Sequence, residues 1–250
     1  MSMFEGLSSE GHQETEDRLG GFSALDSDAY DFTIMFAYAH VADSGAKALA
    51  LELDANGKKY NETVYVTNKN GENWYWTDKE KKETKASLPG FITIEEICQV
   101  TVGKGLKDLV FEDKMANIYD KDAKKEVPKS VKAAVELIGK QVTLGILNTL
   151  EDKTKWDESA KKSVVVPGET RVVNSINKVF HYPTHVTVPE ARHAAEKGTT
   201  PTSEFYDKWV EKNKGKQIDK TTKGPGGVPK SGKPAGAAPQ AGASTTKSLF

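Results

Sequence analysis

Between residues 30 and 67 three short runs are rich in β-branched and aromatic side chains: YDFTIMFAYAHVA (30–42), AKALALELD (46–54) and KYNETVYVT (59–67). Alternation of apolar and polar positions over such lengths predicts half-buried strands. Asn56-Gly57 separates the second from the third, and Asn70-Gly71 follows the third. Asn-Gly is a strong hairpin signal, so a meander of at least four strands is expected, ending in ENWYW (72–76). In TIEEICQVTVGKG (93–105) Thr93 stands three residues before Glu96, a capping-box spacing that predicts a short helix. MANIYD (115–120), KQVTLGILNTLED (140–152) and VVNSINKVFHY (172–182) read as strands, and PKSVKAAVELIGK (128–140) as a helix ending at Gly139. TVPEARHAAEKG (187–198) is a punctuated helix with Thr187 as N-cap, Pro189 in the first turn and Gly198 past the end. A last helix, TSEFYDKWVEKN (202–213), puts Phe205 and Trp209 four apart on one face, where core packing is expected for both rings.

The hairpin turns fix which side chains share a face. With Asn56-Gly57 as a two-residue turn, Leu53 opposes Tyr60, Leu51 opposes Glu62 and Leu49 opposes Val64, so this face is the core. The other face carries Ala48, Ala50, Asn61, Thr63 and Tyr65. With Asn70-Gly71 as a second such turn, Tyr65 opposes Trp76 and Thr67 opposes Trp74, which gathers three rings on the small, polar face. Tyr75 then points to the core. A bulge in the second turn shifts the register by one and exchanges Tyr75 with the tryptophans, so Tyr75 stays a candidate. Five of the chain's 21 aromatic residues lie in 60–76. A face so furnished, without aliphatic partners, suits a solvent-facing stacking platform better than a buried layer. Each nucleic-acid base stacked on such a ring is worth about 1–3 kcal/mol. Lys58, Lys59, Lys69 and Lys79 are the candidate phosphate contacts, with Lys81, Lys82 and Lys85 beyond them. Five interspersed acids reduce the seven lysines to a net +2, a weak patch by charge alone. Sugar rings also stack on aromatic platforms, so the ligand class stays open.

Charge adds a gradient that the near-neutral total hides. Residues 1–31 carry eight acids and one base, and residues 212–250 carry eight lysines and one acid. Residues 1–20 read as a flexible acidic segment and 21–216 as the folded domain. Residues 217–250 are Gly, Pro, Ala and Lys-rich, with nothing spaced to bury, and read as a disordered basic tail. The tail ends in Lys247-Ser248-Leu249-Phe250, an abruptly apolar terminus that suits a peptide ligand for a partner's pocket. The basic tail itself suits DNA or an acidic protein surface. The single cysteine, Cys98, excludes an intrachain disulfide and a zinc site built on several thiolates, and fits a reducing compartment. No apolar run approaches the roughly 18 residues of a membrane span. The opening MSMFEGLSSEGHQ has neither the basic start nor the apolar core of a secretory signal.

ETVYVTNKNGENWYW (62–76), LPGF (88–91), YDKDAKKEVP (119–128), GKQVTLGIL (139–147), KVFHYPTHVTVPEAR (178–192) and YDKWVEKNKGK (206–216) carry a family likeness. They resemble, in order, the single-stranded DNA-binding proteins of tailed bacteriophages. The likeness is to the podophage type whose binding protein also activates late transcription by the host RNA polymerase. That resemblance implies an oligonucleotide/oligosaccharide-binding (OB) β-barrel with short helices, coating single strands during replication and recombination in the host cytoplasm. It places the stacking rings on the NWYW strand. It also implies that the tail meets host RNA polymerase or replication proteins. Many single-strand binders end in an acidic tail, whereas this tail is basic, a departure that fits the transcription-activating type better.

Nothing in the sequence signals an enzyme: there is no G-x-x-x-x-G-K-[ST] loop, H-E-x-x-H or G-x-S-x-G. Pro183 between His181 and His185 argues against a shared helix face, and Asp26, Asp28 and Asp31 lack the spacing of a calcium loop. No metal or cofactor is expected. Scattered carboxylates leave a nuclease as an alternative reading. The rivals to a single-strand coat protein are a polymerase-binding transcription activator with incidental DNA binding and a carbohydrate-binding module using the same rings.

Overall fold

A computed structural model describes residues 24–78, 80–120 and 123–222. The expectations for residues 1–20, Lys79 and Lys247-Ser248-Leu249-Phe250 lie outside the described residues. The fold is mainly β with short helices. Its strands are β1 (Asp28–Val41), β2 (Lys47–Ala55), β3 (Lys58–Tyr65), β4 (Trp74–Trp76) and β5 (Lys85–Ser87), followed by helix α1 (Pro89–Val102). Then come β6 (Phe111–Asp120), β7 (Lys125–Ala134), β8 (Gln141–Asp157) and β9 (Lys162–Phe180). Helices α2 (Val188–Lys197) and α3 (Glu204–Asn213) and the short β10 (Gln217–Asp219) complete the described chain.

The first hairpin forms as the sequence predicts. Asn56 (φ 53°) and Gly57 (φ 86°) both adopt positive φ, and Leu53 pairs with Tyr60, Leu51 with Glu62 and Leu49 with Val64. The second does not. Gly71 alone takes a positive φ (80°), its N–H bonds to the Asn68 carbonyl, and the Asn68 N–H bonds to the Glu72 carbonyl. This is a type I turn with a glycine bulge. The Asn68 side chain takes the N–H groups of Asn70 and Glu72 as well. The chain therefore leaves the meander after three strands, and β4 pairs with β5 in a separate two-stranded ribbon.

Two helix expectations are also corrected. Pro89, fixed in φ, starts α1 four residues before Thr93, whose hydroxyl donates back to the Pro89 carbonyl instead of capping. Residues 125–134 form β7, paired along its length with β6, and only residues 135–137 make a helical turn before Gly139. Thr187 N-caps α2 and the left-handed Gly198 ends it, as expected, and Glu190 completes a capping box with Thr187. Of the two rings on α3, Trp209 is buried but Phe205 is 43 % exposed.

The main sheet runs β3-β2-β1-β8-β9, with β7 and β6 joined at the second half of β1 and β10 lying parallel to β8. It does not close into a barrel: among the described residues no ladder joins β3 to β9. Instead α1 fills the seam, sinking Ile94, Ile97 and Cys98 into the core. Gly90 sits so close to the Tyr65 carbonyl that a Cβ there would lie 2.2 Å from it. Two carboxylates clasp the seam. Glu62 Oε2 accepts from the Tyr60 hydroxyl (2.5 Å) and from the Ile176 N–H (2.9 Å), and Glu96 pairs with Lys178 (3.1 Å). The body continues to Thr222, past the expected boundary at 216, because Ile218 packs with Leu147, Phe180 and Trp209 and β10 bonds along β8.

Burial holds the Glu62 carboxyl above the usual carboxylate range, outweighing its two hydrogen bonds, which act the other way. Its contribution to stability is thus fully present below the unfolded glutamate pKa of about 4.3 and is lost as pH rises through the folded value. Glu62→Gln keeps an oxygen to accept both bonds. It should flatten the pH dependence of Tm across that window. A slope equal to that of the unmodified protein would show that Glu62 does not titrate differently on folding.

Candidate nucleic-acid interface

A bulge in β1 creates the most chemically distinctive surface. Phe32 and Ile34 point into the core; the register then slips between Ile34 and Phe36, leaving Met35 exposed, and Ala37 takes the core side. A bulge of this kind re-aims the residues beyond it. Phe36, Tyr38 and His40 consequently turn to the outer face, joining Ala48, Ala50 and Glu52 of β2 and Asn61, Thr63 and Tyr65 of β3. Three rungs result. Phe36 pairs with Glu52 and Glu52 with Asn61; Tyr38 with Ala50 and Ala50 with Thr63; His40 with Ala48 and Ala48 with Tyr65. The ring centroids of Phe36 and Tyr38 are 5.7 Å apart. Tyr65 is 47 % exposed, while Ala48 and Ala50 keep only 4 % and 6 %. Burial, and then the Glu52 carboxylate, raise the Tyr38 hydroxyl above its ordinary pKa.

The tryptophans form a second unit. Trp74 and Trp76 pack edge to face at 5.2 Å on one side of β4 and are half-buried, whereas Tyr75 on the other side is 44 % exposed. Lys85, paired with Trp76 across the ribbon, holds its ammonium 3.6 Å from the Trp74 ring centroid and 5.1 Å from that of Trp76. This cation–π contact occupies part of the ring surface a base would use.

The residues singled out from sequence are thus divided. Tyr65 lies in the main sheet opposite Ala48, not opposite Trp76. Trp74 and Trp76 stay together, with Tyr75 on the reverse side. Lys59 shares the outer face with Tyr65, about 20 Å along β3 at roughly 3.3 Å per residue. Lys58 sits beside it at the turn, pairing with Ala55. Lys69 lies in the 68–72 loop, whose backbone abuts Gly45. Phe36, Tyr38 and Glu52 are the residues a sequence reading misses. Strict alternation puts Phe36 and Tyr38 on the core face with Phe32 and Ile34; the signals against it are Met35, Ala37 and Ala39, apolar where alternation calls for polar residues, and His40, polar where it calls for an apolar one.

Among the described residues no three His, Cys, Asp or Glu side chains are grouped so as to hold a metal ion. No helix among them is long and apolar enough to cross a membrane. No protein-family model matches the chain, and no curated protein matches it.

Proposed function

We propose that the protein is a non-enzymatic single-stranded DNA-binding protein that receives bases on the outer face of β1–β3. The observation that carries this reading is the three-rung face itself, with Phe36, Tyr38 and Tyr65 around buried alanines. Small residues between rings leave room for flat ligands to stack, and single-strand binders combine such rings with cations that track the backbone. Lys59, paired with Asp54 across the hairpin, stands at one end of the face. The sequence resemblance supports the same reading and extends it. The protein coats single strands in bacteriophage replication and recombination within the host cell, and its C-terminal tail engages host RNA polymerase or replication proteins.

Fluorescence anisotropy with a labelled mixed-sequence oligonucleotide over a series of salt concentrations tests the reading. Binding should weaken linearly on a log–log plot, with a slope of about −0.7 per phosphate neutralised. The single strand should outcompete duplex DNA, since none of the α-helices among the described residues carries a net positive charge to enter a major groove. Preference for duplex would overturn the proposal. Salt-insensitive binding displaced by an oligosaccharide would favour a carbohydrate-binding module instead.

A further inference from the structure

The outer face is not chemically uniform along its length. The second and third rungs offer rings, alanines and a threonine hydroxyl. The first offers Phe36 with two polar side chains beside it, Glu52 at the centre and Asn61 at the edge. Glu52 is half-buried, and its carboxylate is near enough to Tyr38 to disfavour ionisation of that hydroxyl. Among the described residues neither the Glu52 carboxylate nor the Asn61 side-chain amide has a hydrogen bond or ion pair within the chain.

An unpaired carboxylate in the middle of a DNA-binding face has two consequences. It repels phosphate, so the backbone is steered to the rims, one of them marked by Lys59, and bases are left over the centre. It also accepts hydrogen bonds and donates none. Cytosine and adenine present exocyclic amino groups, and guanine presents an amino group beside a ring N–H; a carboxylate accepts from each. Thymine presents one N–H flanked by two carbonyl oxygens, which the carboxylate repels. The Asn61 amide, with both a donor and an acceptor, can complete the pairing on the same base edge.

We infer that Glu52, assisted by Asn61, makes this face discriminate against thymine in favour of bases carrying an exocyclic amino group. The inference rests on the single-strand reading above and assigns it a specificity.

The test is anisotropy of the full chain with labelled oligo-dC and oligo-dT of equal length at neutral pH, for the unmodified protein, Glu52→Gln and Asn61→Ala. The unmodified protein should bind oligo-dC at least about five-fold more tightly. Glu52→Gln, which can donate as well as accept, should bring the ratio towards one, chiefly by tightening oligo-dT. Asn61→Ala, at an exposed site and without change of charge, should reduce the ratio by weakening oligo-dC. Equal affinities in the unmodified protein overturn the inference and leave the single-strand reading intact. So does a Glu52→Gln variant that tightens both oligonucleotides equally, the signature of a purely electrostatic role. Binding to neither oligonucleotide overturns both.

Discussion

Trp209→Ala should destabilise the protein by about 3–5 kcal/mol, read as a lowered urea midpoint, the largest single-residue loss expected here. Trp209 is the buried centre of a satellite core with Leu147 and Phe180, and its ring meets Phe180 edge-on at 6.2 Å. Its indole N–H donates to Asn177 Oδ1 at 2.8 Å. Asn177 stands where β9 slips register against β8, so a bulge delivers the acceptor. Gly145 on β8 lies beneath the ring, and a Cβ there would meet Trp209 atoms at 2.7 Å. Gly145→Ala should therefore cost about 1–3 kcal/mol by overpacking. In the Trp209→Ala background that cost should largely vanish, because the added methyl then fills space. Strictly additive losses in the double variant would show that the two residues do not share this contact.

Phe36→Ala and Tyr38→Ala should each weaken single-strand binding by about 1–3 kcal/mol. The pair together should lose less than the sum, since rings 5.7 Å apart share a ligand. Trp74→Ala should sit at the low end of that range, because Lys85 already lies 3.6 Å over its ring. Anisotropy gives the affinities, and circular dichroism with Tm checks that each variant still folds. A Phe36→Ala, Tyr38→Ala double variant that folds and binds like the unmodified protein would remove the outer face from the mechanism. The ligand would then belong to the tryptophan ribbon or to Tyr75.

Local chemistry made much of the fold legible. The Asn56-Gly57 turn gave the β2–β3 register residue by residue, because a type I′ turn demands positive φ at both positions and leaves no freedom in the pairing. Thr187, Glu190, Pro189 and Gly198 bounded α2 by satisfying its end groups within a few residues. Asn70-Gly71 looked like the same turn and was not. The Asn68 side chain, two residues before it, captured the backbone donors and admitted a bulge, and one inserted residue is enough to redirect a strand. The 128–140 stretch was read as helix because Ala, Val, Glu and Lys suit one, but ten residues of pairing with β6 outweigh a weak propensity.

The sequence alone determined a mainly β fold, the core face of the first hairpin, both ends of α2 and the burial of Trp209. Each rests on interactions between residues close along the chain, or on a periodicity that one segment expresses by itself. The tertiary structure decided the rest. It left the sheet open, with α1, Glu62 and Glu96 across the seam; it separated Tyr65 from the tryptophans; and it turned Phe36 and Tyr38 outward beside Glu52. These outcomes depend on pairing between distant strands. There a single bulge at Met35 reverses the facing of every residue beyond it, and local pattern records the reversal only in part, because Phe36 and Tyr38 are as apolar as Ala37 and Ala39.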